Sequence, residues 1–182
     1  MEREKDGYDL EFYKSLQGED ALKARIEQGR LPIINIAGYP FFVDVRVDLL
    51  RPKDVFHTMG IELTENKFDA YTKSYYVYYH VPSMTEVTIT RNATELPADV
   101  LMLKIPEKEK LDSVAMARIN GKEPDERYLK RYPLKMYTEL KGIPIEKTFL
   151  KQMVRDNLER QNGLQHHQPA IKHLSKRKGK GL

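Results

Sequence analysis

Phe41-Phe42-Val43-Asp44-Val45-Arg46-Val47-Asp48-Leu49 alternates an apolar series (Phe41, Val43, Val45, Val47, Leu49) with a mainly charged one (Phe42, Asp44, Arg46, Asp48). Successive side chains of an extended chain point to opposite faces, so this period of two predicts a half-buried β-strand. Upstream, Ile34 and Ile36 lead into Gly38-Tyr39-Pro40, which makes residues 37–40 the turn of a hairpin and Arg51-Pro52 its exit. Downstream, residues 60–63 and 67–73 are expected to pair across Thr64-Glu65-Asn66-Lys67. The aromatic run Tyr75-Tyr76-Val77-Tyr78-Tyr79-His80-Val81 predicts a further strand, as do residues 86–90 and the apolar stretch 99–105 that Pro106 terminates. Short connections make this a mainly antiparallel meander of about five to seven short strands.

Helical spacing appears on both sides of the meander. Leu10, Tyr13, Leu16, Ala21, Leu22 and Ile26 fall at helical intervals with Gly18 and Asp20 between them, which predicts two short helices or one interrupted helix closed by Gly29. Asp112 is expected to cap a helix that buries Val114, Ala115 and Ile119 and ends at Gly121. A second helix follows Pro124 and stops at Pro133. From Pro144, a stripe of Ile145, Phe149, Leu150, Met153, Val154 and Leu158 predicts the strongest helix, closed by Gly163. The fold class that results is α+β: one sheet covered on one face by the helices near 112 and 144. A disordered N-terminus over 1–8, a domain over 9–162 and a flexible basic tail over 163–182 complete the expected organisation.

The chain has 182 residues with 40% hydrophobic and 32% charged, a soluble globular composition of one-domain size. No stretch approaches the ~18 apolar residues that cross a bilayer, and residues 1–7 carry no apolar leader, so a cytoplasmic protein is expected, without membrane contact. Cysteine is absent, which excludes disulfides, thiolate nucleophiles and cysteine-ligated metals. The net charge of +4 is unevenly placed. Residues 171–182 hold Lys172, Lys176, Arg177, Lys178 and Lys180 and no acid, leaving 26 Lys and Arg against 27 Asp and Glu elsewhere. Only that end concentrates enough positive charge to attract phosphates, and its plainer use is as a solvated terminus.

Phosphate-loop, dinucleotide-binding, nucleophile-elbow and His-Glu-x-x-His patterns are missing, and no cofactor is expected. Of the five histidines, His166, His167 and His173 lie near the chain end, with no further ligand set by spacing. Asp44, Arg46 and Asp48 are expected on one strand face. Joined by Glu62 or Glu86, the two aspartates could hold a divalent cation for phosphodiester chemistry; otherwise they form a solvated face. Five of the eleven tyrosines, Tyr71, Tyr75, Tyr76, Tyr78 and Tyr79, fall within nine residues. On a strand, Tyr75, Val77 and Tyr79 share one face and Tyr76, Tyr78 and His80 the other. If one face is core, Tyr76 and Tyr78 become a platform for stacking bases, with Lys67 and Lys73 nearby; the alternative is ordinary cross-strand packing.

Residues 31–38, residues 41–51, the segment Glu107-Lys108-Glu109-Lys110-Leu111-Asp112-Ser113-Val114-Ala115-Met116-Ala117 and the basic end resemble segments of uncharacterised proteins carried on bacterial conjugative and other mobile elements. The resemblance implies an intracellular bacterial protein that accompanies DNA transfer or maintenance, and it brings no catalytic residue. The expectation is therefore a non-enzymatic accessory module that contacts DNA or RNA through Lys172, Lys176, Arg177, Lys178 and Lys180, assisted by Tyr76 and Tyr78. The competing readings are a protein-interaction adaptor and a metal-dependent phosphodiesterase.

Overall fold

The computed structural model describes residues 10–55 and 59–166, with side chains through residue 163. The expected N-terminal segment 1–8 and the basic residues 171–182 lie outside the described residues.

Helices α1 (Leu10–Ser15) and α2 (Gly18–Ile26) are separate, as the break near Gly18 predicts. Strands β1 (Ile33–Ile36) and β2 (Tyr39–Asp44) form a hairpin whose two turn residues, Ala37 and Gly38, both have positive φ (51° and 89°). That is the twist a two-residue hairpin turn demands. The strand expected over 41–49 does not run through. It stops at Asp44, residues 45–48 turn, and β3 (Leu49–Pro52) pairs back with Val43 opposite Leu50. Asp48 takes the left-handed conformation (φ 56°), which Asp tolerates better than most residues, and Arg46 reaches back to both carboxylate oxygens of Asp44. The turn shifts the parity of the buried side chains, so Leu50 rather than Leu49 is fully buried and Val47 stands exposed.

β4 (Ile61–Glu62) pairs with β3. A 3-10 turn over Glu65–Lys67 then carries the chain into a second sheet, where β5 (Phe68–Asp69) pairs with β6 (Ser74–His80). Residues 60–63 and 67–73 therefore belong to different sheets, because the turn between them reverses the chain away from its own hairpin. β7 (Thr85–Val87) and β8 (Val100–Pro106) both flank β6, and β8 matches it over seven residues from Ser74↔Pro106 to His80↔Val100.

The carboxyl-terminal third holds α3 (Lys108–Leu111), α4 (Ser113–Ile119), α5 (Glu126–Arg131) and two strands the sequence pattern did not reveal. β9 (Tyr137–Leu140) runs parallel to β1, and two residues later β10 (Ile143–Pro144) adds to β8 in the other sheet. At this corner Gly142 lies so close to β8 that a Cβ on it would sit 2.7 Å from Leu101 Cβ. Gly142→Ala is expected to cost about 1–3 kcal/mol, seen as a lower urea midpoint, and an unchanged midpoint would refute the close approach. Helix α6 (Leu150–His166) follows a 3-10 turn and continues past Gly163, the expected stop. One interior glycine costs about 1 kcal/mol, which a helix of this length absorbs.

The result is α+β with two mainly antiparallel sheets, ordered β4-β3-β2-β1-β9 and β10-β8-β6-β5, rather than the single sheet expected. Their inner faces form the main core: Ile34, Ile36, Phe41 and Val43 meet Tyr75, Val77, Tyr79, Leu103 and Ile105. Phe41 and Tyr79 meet edge to face at 6.1 Å. Leu111 and Ala115, from α3 and α4, join this core. Outside the first sheet, Ile33 and Met136 pack on Tyr13, Ala21 and Ala24 of α1 and α2. Outside the second, Tyr78, Val100 and Met102 pack on Ile145, Leu150 and Met153. Among the described residues, no helix is long and apolar enough to cross a membrane.

Candidate nucleic-acid interface

The tyrosine strand β6 divides its rings as alternation requires. Tyr75 and Tyr79 face the core, where burial raises the pKa of both hydroxyls. Tyr76 and Tyr78 face outward and are both half-buried, with different neighbours. Tyr78, opposite Met102 and Val87, is packed into the cluster of Ile145, Leu150 and Met153, and burial raises its pKa too. Tyr78 therefore shares its side of the sheet with apolar residues of the segment leading into α6. Tyr76 stays half-buried, with the exposed Lys104 as its cross-strand neighbour. Directly opposed side chains of an antiparallel pair have Cβ atoms about 5 Å apart, so a ring and an ammonium share this part of the face.

Beyond it lies the β5–β6 hairpin tip. Asp69 organises that tip: its carboxylate accepts from the Tyr71 N–H and the Thr72 hydroxyl, both at 2.9 Å, and the Ser74 hydroxyl donates to the Thr72 carbonyl at 3.0 Å. The Thr72 hydroxyl first, then the Tyr71 N–H, holds the Asp69 carboxyl below its ordinary pKa, and Lys104 adds attraction. Lys73 adopts a left-handed backbone (φ 49°) and is exposed. Tyr71, on this wired turn, is 96% exposed. Tyr71, Lys73, Tyr76 and Lys104 thus gather at one end of the second sheet. Sequence reading placed Tyr71 in the tyrosine cluster and noted Lys73, but did not see the tip. The signal was there in Asp69-Ala70-Tyr71-Thr72, an Asp with a hydroxyl three residues on between two strand-like runs.

The carboxylate face expected for a cation does not form. Asp44 is engaged by Arg46; Asp48, turned out of the strand, pairs with Lys108 at 2.6 Å; Glu86 pairs with Lys67 at 2.6 Å. Among the described residues, no group of three or more His, Asp or Glu side chains could hold a metal ion. His80 accepts or donates one hydrogen bond with Ser83 at 2.7 Å in the turn after β6, and Ser83 continues to Thr85. His57, His167 and His173 lie outside the described residues.

A second polar group went unread because it needs the parallel pairing of β9. Asn35 on β1 donates to both oxygens of Glu139 (3.2 and 3.1 Å), and the Tyr137 hydroxyl donates to the same carboxylate. These donors hold Glu139 below the ordinary carboxylate range, Tyr137 contributing most. Lys14 sits 5.2 Å over the Tyr137 ring, beside an open cleft of about 420 Å³ between residues 13–18 and 133–137. Through these bonds Glu139 ties β9 to β1.

Helix α6 reaches toward the basic end. Leu150 is buried, and Asn157 donates to the carbonyls of Arg91 and Ala93 at 2.9 and 2.8 Å. After Asn157, every residue from 158 to 163 is exposed. At 1.5 Å per residue this free stretch carries the chain roughly 8 Å past its last anchor. Lys172, Lys176, Arg177, Lys178 and Lys180 follow it in sequence, outside the described residues.

Comparison with protein-family models, with curated proteins and with solved structures gives no match.

Proposed function

We propose that this chain is a non-enzymatic accessory module of the bacterial cytoplasm that contacts nucleic acid through its basic end, in the setting of DNA transfer or maintenance on a mobile element. The observation that carries the reading is the uneven charge of the sequence, near neutral up to residue 170 and then five cations without an acid over residues 171–182. Lys172, Lys176, Arg177, Lys178 and Lys180 follow in sequence a helix whose residues 158–163 are exposed. A run of cations without an intervening acid is what attracts phosphates.

The test is a fluorescence-anisotropy titration of labelled DNA with the full chain and with residues 171–182 removed, at two salt concentrations. Five cations that neutralise phosphates steepen the salt dependence on single strands by up to about 3.5 in log-log slope, so truncation is expected to weaken binding and flatten the slope. Binding that survives truncation with its slope unchanged would sink the reading.

The adaptor reading is less well supported. The centre of the α6 stripe, Leu150 and Met153, is used within the chain. The exposed Phe149 stands in the turn before α6 and the exposed Leu158 lies nine residues on, with the exposed polar residues Lys151, Gln152, Arg155 and Asp156 between them.

A further inference from the structure

We propose that the β5–β6 hairpin tip is a base-stacking contact for single-stranded nucleic acid, with the Tyr71 ring taking a base and Lys73 and Lys104 facing the adjoining phosphates. This rests on the nucleic-acid reading and deepens it. The tip uses Tyr71 only through its backbone N–H; the wiring runs through the side chains of Asp69, Thr72 and Ser74. Any residue with a backbone N–H would satisfy that hydrogen bond, yet the position carries a large ring 96% exposed to water. Because the turn is already held by three hydrogen bonds, its backbone needs little ordering on binding, and Tyr has only two side-chain torsions to fix. Every base has a π-face, so an aromatic side chain offered in this way receives single strands with little regard to sequence.

The charges around the ring favour a polyanion. Lys73 adjoins the tip and Lys104 lies on the same sheet face as Tyr76, both exposed. The acid at the centre of the turn, Asp69, has its charge engaged by Thr72, the Tyr71 N–H and Lys104. A duplex keeps the faces of its bases stacked inside, so the ring adds to single-strand affinity and leaves duplex affinity untouched.

The chain contains no tryptophan, so Tyr71→Trp introduces a single reporter at the proposed contact. Full-length Tyr71→Trp protein is titrated with oligothymidylate while tryptophan emission and the anisotropy of a labelled strand are followed together. Full-length Tyr71→Ala is titrated against single- and double-stranded DNA, with circular dichroism confirming that the exposed substitution leaves the fold intact. The expected result is quenching that saturates with the anisotropy, and an affinity for single strands lowered about five-fold or more in Tyr71→Ala with duplex binding unchanged. Replacing Lys73 and Lys104 together by Gln lowers the single-strand salt slope by about 1.4. Anisotropy that rises without quenching, or a Tyr71→Ala loss equal on both substrates, overturns the hairpin contact while the basic-end reading stands. No binding of either substrate by the full chain at low salt overturns both.

Discussion

Asp112→Ala is expected to lower the free energy of unfolding by about 3–5 kcal/mol, the range for removing one partner of a buried ion pair. Asp112 has no exposed surface and Arg25 is 7% exposed. The Arg25 Nε and Nη2 both lie 2.9 Å from Asp112 Oδ2, while Oδ1 accepts from the Ala115 N–H at 3.0 Å. One carboxylate therefore does two things: it caps α4 and joins α4 to α2, 87 residues away in sequence. Without it, a guanidinium stays buried with no countercharge and the helix end loses its acceptor, a cap worth about 1 kcal/mol on its own. Asp112→Asn keeps an acceptor for the cap and removes the charge, so its loss should be smaller. Urea unfolding followed by circular dichroism measures both variants. A loss under about 1 kcal/mol for Asp112→Ala would show that Arg25 finds water instead, and the pair would have no bridging role.

Gly60→Ala should be comparably damaging, by about 3 kcal/mol or more, for a backbone reason. Gly60 has φ 83°, and a Cβ on it would stand 2.2 Å from the Leu50 carbonyl oxygen, with Pro52 Cδ at 3.3 Å. That oxygen belongs to β3, which pairs on both sides, so it cannot swing away as a flexible side-chain end would. Gly38→Ala is the control: φ is 89°, yet nothing lies within 4 Å of the added carbon. Only the left-handed backbone penalty of about 1–2 kcal/mol should then appear. Equal midpoint shifts for the two variants would mean that β4 moves off β3 to make room.

Much of the local structure was legible in the residues. The break near Gly18, the stop at Pro106 and the Asp112 cap all depend on sterics and hydrogen bonds within a few residues and stand where their patterns predict, while the hairpin turn expected over 37–40 closes tighter, at Ala37-Gly38, with Tyr39 and Pro40 already in β2. The misread turn at 45–48 shows the limit of periodicity. A period of two describes a single long strand and two arms of a tight hairpin equally well until a cross-strand partner selects the parity, and here Val43 opposite Leu50 did so. β9 and β10 escaped notice because strands of four and two residues carry almost no periodic signal and gain their hydrogen bonds from β1, about a hundred residues away, and from β8, about forty residues away.

The candidate interface divides in the same way. The charge of residues 171–182 and the density of tyrosines near β6 are compositional facts, plain in the chain itself. Which rings meet solvent is not, because exposure depends on what comes to lie against each face. Tyr78 is covered by Ile145, Leu150 and Met153, whereas Tyr71 sits at a hairpin tip where nothing lies across it. Local backbone preference set the strands, the caps and the turns. The partition into two sheets, the Arg25–Asp112 bridge and the choice of exposed tyrosine were decided by tertiary packing, because burying an apolar face or a charge requires partners that the nearby chain cannot supply.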